Sequence, residues 1–301
     1  MRAVIDIGSN TVRMLIGEWR ADQLHTPRYY RRITRLAGGM RTDNRLTPAG
    51  CQRTLAAVQE FVQLAAQAEV TQITAVGTAA LRRAVNRQDL LERIESACGL
   101  TVAVIPGARE AQLSARGVLS VLVPQPRQAL ILDIGGGSTE LVGWREGKIG
   151  PDFSFPLGVV QLSEAFTATA ERRTHIARTL QPFWEPFLGW QDPALPCPLV
   201  GTAGTITTLA AIYLGLCKYA PNRVNNQRLK LSWLQAIYAK LEPLSPAQRE
   251  TLVGLEQGRG DLILPGLDIL LSLLTQLQLE ELTVADSGLL EGLLRELSGG
   301  D

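Results

Sequence analysis

The sequence predicts an α/β protein built from two domains, and three observations support this prediction. The motif Asp-Ile-Gly follows a short apolar segment at Asp6 and again at Asp133, and each time a turn rich in small polar residues leads into a second apolar segment. The motifs start at positions 6 and 133, so they lie 127 residues apart, about the length of one domain. The chain of 301 residues is 46% hydrophobic, which is long for a single core and suits two.

The overall composition excludes several classes of function. The formal net charge is +1 and the pI is about 7.7, so nothing global favours a nucleic acid polymer or a membrane as partner. The four cysteines form no Cys-x-x-Cys pair and the two histidines lie far apart, which argues against a zinc site. The chain opens without a signal-peptide pattern, and the apolar stretch 262–274 is interrupted by Pro265 and Asp268. We therefore expect a soluble, cytoplasmic protein.

The segment 129–144 is the strongest functional signal. Residues 129–132 are all apolar, as in a strand buried on both faces, and the pattern resumes at 141–144. The turn between them offers backbone and hydroxyl donors for phosphate oxygens, from Gly135, Gly136, Gly137, Ser138 and Thr139. Asp133 and Glu140 flank this turn, where their carboxylates supply oxygen ligands of the kind that Mg²⁺ needs. The alternative, a glycine hairpin without a ligand, would not need an acid at each end.

The earlier copy of the motif predicts a second phosphate-binding turn. It follows the strand-like residues 3–5 and precedes the apolar segment 12–17. The residues of this turn are Gly8, Ser9, Asn10 and Thr11. If each domain carries one such hairpin, the ligand would lie in the cleft between the domains.

A strand that leads directly into a helix provides a further anion site. Residues 73–76 are strand-like and are followed by Gly77-Thr78 and a helical segment over 79–84. A helix N-terminus attracts anions, and Arg82 lies one turn inside this one. Adjacent helical side chains diverge, so we expect at most one of Arg82 and Arg83 to point at a ligand and the other to face solvent.

A second junction of this kind contains Glu110. Residues 102–105 predict a short strand, and the helix after it begins near Glu110. A carboxylate in the first helical turn is commonly a surface acid stabilised by the helix dipole, and from the residues alone this interpretation stays ahead.

Two other segments carry weaker signals. A third turn follows strand-like residues 199–200 and opens into an apolar helix, which suits a phosphate or nucleotide, although a simple helix cap is the alternative. Its candidate residues are Gly201, Thr202, Gly204 and Thr205. Residues 28–45 form the strongest basic patch, which is either a polyanion contact or a solvated edge. Its arginines are Arg28, Arg31, Arg32, Arg35, Arg41 and Arg45.

The motifs that are missing narrow the chemistry further. The sequence contains no Gly-x-Ser-x-Gly elbow, no plausible catalytic pairing of cysteine with histidine and no Walker loop. Three Gly, Ser and Thr turns together with paired carboxylates instead favour phosphoryl chemistry by positioning and electrostatics.

Together these residues resemble the exopolyphosphatase/guanosine pentaphosphate phosphatase (Ppx/GppA) family, within the actin, sugar kinase and heat-shock ATPase superfamily. The resemblance covers nearly the whole chain. Residues 6–11 look like the family's first phosphate loop, 133–140 like its second, and 201–208 like the loop that superfamily members place near a nucleotide. Residues 76–82, 261–271 and 284–292 match further family segments.

The resemblance implies a role for several of the candidate residues. Glu110 falls on the family's general base, and Asp133 and Glu140 fall on its magnesium-linked acids. Asn10, Arg82 and the amides of the loops fall on its phosphate contacts.

The chain departs from the family pattern beside the proposed base and near its end. Ala108-Arg109 stand where the family usually has acids, and Gln112 stands where it has arginine. Asn225-Asn226-Gln227 replaces a stretch containing histidine, and residues 286–290 lack the arginines common in that segment. These departures bear on the substrate preference.

The resemblance implies two ribonuclease H-like domains of the actin-like ATPase type, over residues 1–124 and 125–301, with an active-site cleft between them. The expected reaction is Mg²⁺-dependent hydrolysis of the terminal phosphoanhydride of inorganic polyphosphate, releasing orthophosphate. Asp6 is expected as a third acid near the metal. Another divalent cation could replace Mg²⁺, and no organic cofactor is expected.

Several alternatives stay open at this point. The same enzyme class includes guanosine pentaphosphate 5′-phosphohydrolases, and a different class would be an actin-like nucleotide-binding regulatory module without significant turnover. A sugar kinase is less favoured because no acceptor motif is visible. The sequence also leaves open a homodimer, the preferred polymer length, and whether ATP or ADP binds.

Overall fold

The computed structural model describes residues 1–20, 23–40 and 43–299. Arg41, part of the basic segment, lies outside these described residues. Contacts divide the chain into two compact units: unit 1 comprises Met1–Gly117 and Leu289–Asp301, and unit 2 comprises Val118–Gly288.

Unit 1 is a five-stranded sheet with helices. Its strands are β1 (Arg2–Ile7), β2 (Thr11–Arg20), β3 (Gln23–Ile33), β4 (Gln72–Gly77) and β5 (Val102–Val104), in the order β3-β2-β1-β4-β5. Its helices are α1 (Pro48–Gln67), α2 (Ala79–Arg83), α3 (Arg87–Cys98), α4 (Gly107–Leu119) and α12 (Leu289–Leu297). Strands β1, β2 and β3 pair antiparallel, whereas β4 and β5 run parallel to β1.

Unit 2 contains a six-stranded sheet. Its strands are β6 (Gln128–Ile134), β7 (Thr139–Arg145), β8 (Lys148–Phe155), β9 (Leu199–Thr202), β10 (Arg228–Lys230) and β11 (Glu281–Val284), in the order β10-β11-β9-β6-β7-β8. Its helices are α5 (Val159–Ala165), α6 (Thr169–Trp190), α7 (Ala203–Tyr213), α8 (Pro221–Val224), α9 (Leu231–Leu241), α10 (Pro246–Arg249) and α11 (Ile263–Gln276). None of the helices in the described part of the chain is both long and apolar enough to cross a lipid bilayer.

The two sheets repeat one topology. In each, an antiparallel meander of three strands lies beside parallel strands, and the order β8-β7-β6-β9-β11 of unit 2 matches β3-β2-β1-β4-β5 of unit 1. The first strand of each meander is apolar because it lies in the middle of its sheet and is buried on both faces. This repeat confirms the predicted α/β fold class of two ribonuclease H-like domains.

Helix α12 belongs to unit 1, whereas the sequence analysis assigned the whole C-terminal part to the second domain. The helix is strongly amphipathic, and its apolar face packs on the sheet of unit 1. The shared core consists of Val4, Leu15, Val76, Leu113, Leu289, Leu290, Leu293 and Leu294. A helix that packs on residues almost three hundred positions earlier cannot be assigned from local sequence.

Candidate active site

The two predicted turns form hairpins of the same length. In hairpin 1 (residues 6–13), Ile7 pairs with Val12, and in hairpin 2 (residues 133–140), Ile134 pairs with Thr139. The same backbone bond closes both turns: the Gly8 N–H donates to Thr11 O at 3.0 Å and the Gly135 N–H to Ser138 O at 2.9 Å. The repeated motif therefore corresponds to a repeated structure, residue for residue.

Hairpin 1 contains an ion pair that the sequence analysis missed. Asp6 and Arg13 are partners in the β1–β2 register, and Arg13 donates from Nε and Nη2 to Asp6 Oδ2 at 3.0 and 2.6 Å. The side chain of Asp6 is almost fully buried. Cross-strand partners share one face of a sheet, so this contact could have been predicted from the register once the turn was known.

Three buried oxygen atoms of hairpin 1 have no hydrogen-bond partner among the described residues: Asp6 Oδ1, Ser9 Oγ and Asn10 Oδ1. Buried polar atoms are nearly always satisfied in folded proteins. A cluster of three such atoms in one turn is therefore a place for a water molecule or a ligand.

Hairpin 2 places two carboxylates opposite each other. Asp133 pairs with Glu140, at the positions that Asp6 and Arg13 occupy in hairpin 1. Glu140 is buried, and the Ser154 hydroxyl donates to its Oε1 at 2.8 Å. Like charges directly opposite on paired strands destabilise a sheet, so this arrangement favours a bound cation.

The residues of hairpin 2 fit a magnesium ion. Mg²⁺ is usually held by one or two carboxylates, with water and substrate phosphates completing its coordination. Asp133 and Glu140 supply two carboxylates, and within the described residues no cluster of three or more His, Cys, Asp or Glu side chains could enclose a metal by itself.

The backbone of hairpin 2 is oriented by helix α5. The N–H groups of Val159 and Val160 donate to the carbonyls of Gly135 and Gly136, at 3.1 and 3.0 Å. In a trans peptide the N–H points opposite to the carbonyl, so the amides of Gly136 and Gly137 point away from α5. These are two of the predicted phosphate donors, and their direction leaves them able to bind an anion.

Gly158 allows this close approach of α5 to the turn. A Cβ atom on Gly158 would lie 2.2 Å from Gly137 Cα and 2.3 Å from Gly136 O. Only glycine fits against the backbone of the turn at this distance. The sequence analysis passed over Gly158 because nothing local distinguishes it from a loop glycine.

Hairpin 1 is held in a similar way by the segment after β3. Thr34 and Arg35 both donate from their backbone N–H groups to Asn10 O at 2.9 Å, and Ala37 donates to Ser9 O at 2.9 Å. By the same peptide geometry, the N–H groups of Asn10 and Thr11 point away from this segment. The basic segment 28–45 therefore has a structural role in supporting the turn.

The structure brings Glu110 and Arg82 together in unit 1. Arg82 Nη1 forms an ion pair with Glu110 Oε2 and donates to Ile105 O at 3.2 Å. Both side chains are largely buried. Helix α4 begins at Gly107, earlier than predicted, which places Glu110 in its first turn, where the helix dipole favours an anion. Arg109, the neighbour of Glu110, pairs instead with Glu296 of α12.

Of the adjacent Arg82 and Arg83, one was expected to face solvent, but both side chains are partly buried. Arg82 is held by Glu110, and Arg83 Nη2 lies 3.7 Å from Met40 Sδ. Helix α2 is only five residues long and ends at Arg83.

The third turn lies beside hairpin 2 in unit 2. Thr202 is the β9 partner of Asp133, and its hydroxyl donates to Ser287 O at 2.5 Å. Ala203 has a φ of +67°, a strained value for a residue with a side chain, and such strain is common at functional sites. These observations place Thr202 next to the carboxylates of hairpin 2.

Arg259 covers the start of helix α7, a contact that the sequence analysis missed. A Cβ atom on Gly204 would lie 2.1 Å from Arg259 Nη1, so the guanidinium lies directly against Gly204. Arg259 also donates from Nε to Glu256 Oε2 at 3.0 Å. Thr205 packs equally closely on Gly266 of α11. The charged side chains of Arg259 and Glu256 therefore lie at the N-terminus of helix α7, next to the third turn.

Comparison with known proteins supports one family throughout. The sequence matches the Ppx/GppA phosphatase family over residues 16–299. Exopolyphosphatase 2 of Mycobacterium tuberculosis is 29% identical, over 99% of this chain and 98% of its own length. The crystal structure of an exopolyphosphatase from Cytophaga hutchinsonii has a TM-score of 0.90 at 28% identity, covering 100% of this chain and 98% of that one. The Ppx/GppA family member from Aquifex aeolicus has a TM-score of 0.79 at 30% identity, covering 98% and 97%.

Proposed function

Because the chain belongs to the Ppx/GppA phosphatase family, we propose that it is an exopolyphosphatase that hydrolyses the terminal phosphoanhydride of inorganic polyphosphate with the help of Mg²⁺. The observation that carries this proposal is the pairing of Asp133 with Glu140 beside a turn in which the amides of Gly136 and Gly137 point away from helix α5. An anion with a bound divalent cation is the ligand that suits both features. The similarity to a protein named exopolyphosphatase over almost the whole chain supports polyphosphate as the substrate.

Asp133 and Glu140 would hold the metal. A bound Mg²⁺ ion offsets the negative charge that collects on the phosphate oxygens during transfer. The hydroxyl of Ser154 holds Glu140 in place, and the β6–β7 register holds Asp133 opposite to it. Asp6, the third predicted acid, has one carboxylate oxygen without a hydrogen-bond partner among the described residues, while Arg13 binds the other.

The turns would hold the phosphate groups. The donors in hairpin 2 are the N–H groups of Gly136 and Gly137 and the hydroxyl of Ser138, and Ser9 and Asn10 offer polar atoms in hairpin 1. Thr139 already donates its hydroxyl to Leu157 O at 2.7 Å, so we assign it to the support of the turn. Fixed donors of this type stabilise charge without reorganisation during the reaction.

Glu110 would act as the general base. Its carboxylate accepts a proton from the attacking water, whose oxygen bonds to the terminal phosphorus while the bond from that phosphorus to the bridging oxygen breaks. Arg82 holds the carboxylate in one orientation through the ion pair. We therefore assign Arg82 the role of positioning Glu110 rather than of binding substrate.

Guanosine pentaphosphate is the second candidate substrate, because the third turn resembles a nucleotide loop and carries the polar groups of Arg259 and Glu256. A third possibility, a nucleotide-binding module without turnover, predicts tight ATP binding instead.

Phosphate release measured with malachite green, on polyphosphate and on guanosine pentaphosphate with Mg²⁺, tests these proposals. We expect polyphosphate to be hydrolysed with the higher kcat/KM. Comparable efficiency on the two substrates would remove the preference for polyphosphate. If neither substrate released phosphate while calorimetry showed tight ATP binding, the module without turnover would be correct.

A further inference from the structure

Two adjacent arginines end helix α2, and among the described residues only one of them has a carboxylate partner. Arg82 is paired with Glu110. Arg83 forms no ion pair with any described residue, and its one polar contact is Met40 Sδ. A thioether sulfur is a weak hydrogen-bond acceptor and carries no charge. Glu110 therefore compensates the charge of Arg82, and no described carboxylate compensates the charge of Arg83.

The surroundings of Arg83 make this lack of a counter-ion costly. Its Nε is buried and has no hydrogen-bond partner within the described residues. Burial, and to a lesser extent the charge of Arg82, lowers the pKa of Arg83 from its usual value. A partly buried charge without a partner destabilises a fold, so such a group is usually kept because it binds something of opposite charge.

Arg83 lies at the hairpin 1 end of the sheet. Strand β4 runs beside β1 with Ile7 opposite Gly77, and Thr78 N–H donates to Ile7 O at 3.3 Å, so α2 starts next to the turn of hairpin 1.

Met40, which Arg83 contacts through its sulfur, belongs to the segment that is hydrogen-bonded to the turn of hairpin 1. Met40 N–H donates to Ala37 O at 3.1 Å, and Ala37 N–H donates to Ser9 O at 2.9 Å. The guanidinium thus packs on the segment that supports the turn containing the unsatisfied oxygens.

We propose that Arg83 binds a phosphate group of the substrate, and that the neighbouring Arg82 instead positions the general base. The planar guanidinium presents several donors in a fixed fork that matches phosphate oxygens. This inference rests on the proposed function, because it takes the anion to be a phosphate of a polyphosphate chain. It separates the roles of two residues that the sequence motif presents as a pair.

The test uses Arg83→Gln with Arg93→Gln as the matched control. Arg93 is an exposed arginine of α3 in the same unit, so both variants change the net charge equally. Thermal unfolding is measured in EDTA, where no metal supports hydrolysis, at a series of polyphosphate concentrations that includes zero. The polyphosphate Kd is obtained from the dependence of the unfolding temperature on polyphosphate concentration. Arg83→Met, which fills the same buried space without charge, is the second variant in case the glutamine variant does not fold.

We expect the Arg83 variants to unfold at the wild-type temperature or above it when no ligand is present. We expect their polyphosphate Kd to be about tenfold weaker, the loss that one charge-assisted hydrogen bond accounts for. The Arg93 variant should match the wild type in both measurements. A purely structural arginine would give the opposite pattern, with a lower unfolding temperature and an unchanged Kd, and that result would overturn the inference.

Two failures can be told apart. If polyphosphate stabilises the wild type and the Arg83 variants equally, the role of Arg83 is refuted while polyphosphate binding stands. If polyphosphate does not stabilise even the wild type, either in EDTA or after Mg²⁺ is added, the proposed substrate is wrong, and the inference falls with it.

Discussion

Replacing Gly158 with alanine tests whether the backbone of hairpin 2 must lie where helix α5 holds it. The new Cβ would lie 2.2 Å from Gly137 Cα, whereas ordinary contact begins at 3.4 Å. The turn and the helix must therefore separate by about 1.2 Å, the difference between these two distances. A displacement of about 1 Å in a catalytic group can lower the rate about 10²-fold, whereas overpacking of this kind costs about 1–3 kcal/mol of stability.

The assay for Gly158→Ala combines phosphate release from polyphosphate at saturating Mg²⁺ with denaturant unfolding. We expect kcat to fall about 10²-fold while the protein stays folded. Gly189→Ala is the matched control, because Gly189 is exposed within α6 and a Cβ there would meet nothing within 4 Å. A Gly158→Ala protein with wild-type kcat would refute the importance of the turn. Loss of activity in proportion to loss of folded protein would refute it equally.

Three further substitutions test the other parts of the site. Glu110→Gln keeps the size of the side chain but not its basicity, so kcat should fall about 10²- to 10⁴-fold with polyphosphate still bound, as turnover and binding assays would show. Asp133→Asn should weaken Mg²⁺ binding in calorimetry while leaving the unfolding midpoint nearly unchanged, and wild-type Mg²⁺ affinity would contradict the metal site. Gly292→Ala would place a Cβ 1.9 Å from Leu113 O, so we expect the free energy of unfolding to fall by about 1–3 kcal/mol in urea titrations, and an unchanged midpoint would contradict the packing of α12 on α4.

The features that could be predicted from the sequence are local ones. Each hairpin combines two apolar strands with a glycine turn, and both signals lie within about a dozen residues of each other. The same holds for the strand-to-helix junction that contains Arg82. The repeated Asp-Ile-Gly motif then allowed the two-domain α/β fold to be predicted, since a repeated motif at one domain's spacing indicates a repeated domain.

The features that were missed depend on pairing between distant residues. Arg82 and Glu110 meet although helix α3 and strand β5 lie between them in the chain, and Arg259 meets Gly204 from a different part of unit 2. Neither contact leaves a periodic pattern in the chain. The Asp6–Arg13 pair is different, because it follows from the hairpin register and required only that the turn length be counted.

The position of α12 has a consequence for how the protein is made. The chain leaves unit 1 after Gly117 and returns at Leu289, so unit 2 is inserted within unit 1. The sheet of unit 1 is synthesised before unit 2, but the leucines of α12 that pack against Val4 and Leu15 are synthesised after it. On the ribosome, unit 2 can therefore complete its core before unit 1, reversing the order in which most domains fold during translation. Until α12 emerges, the apolar side chains of the first sheet that its leucines cover stay exposed.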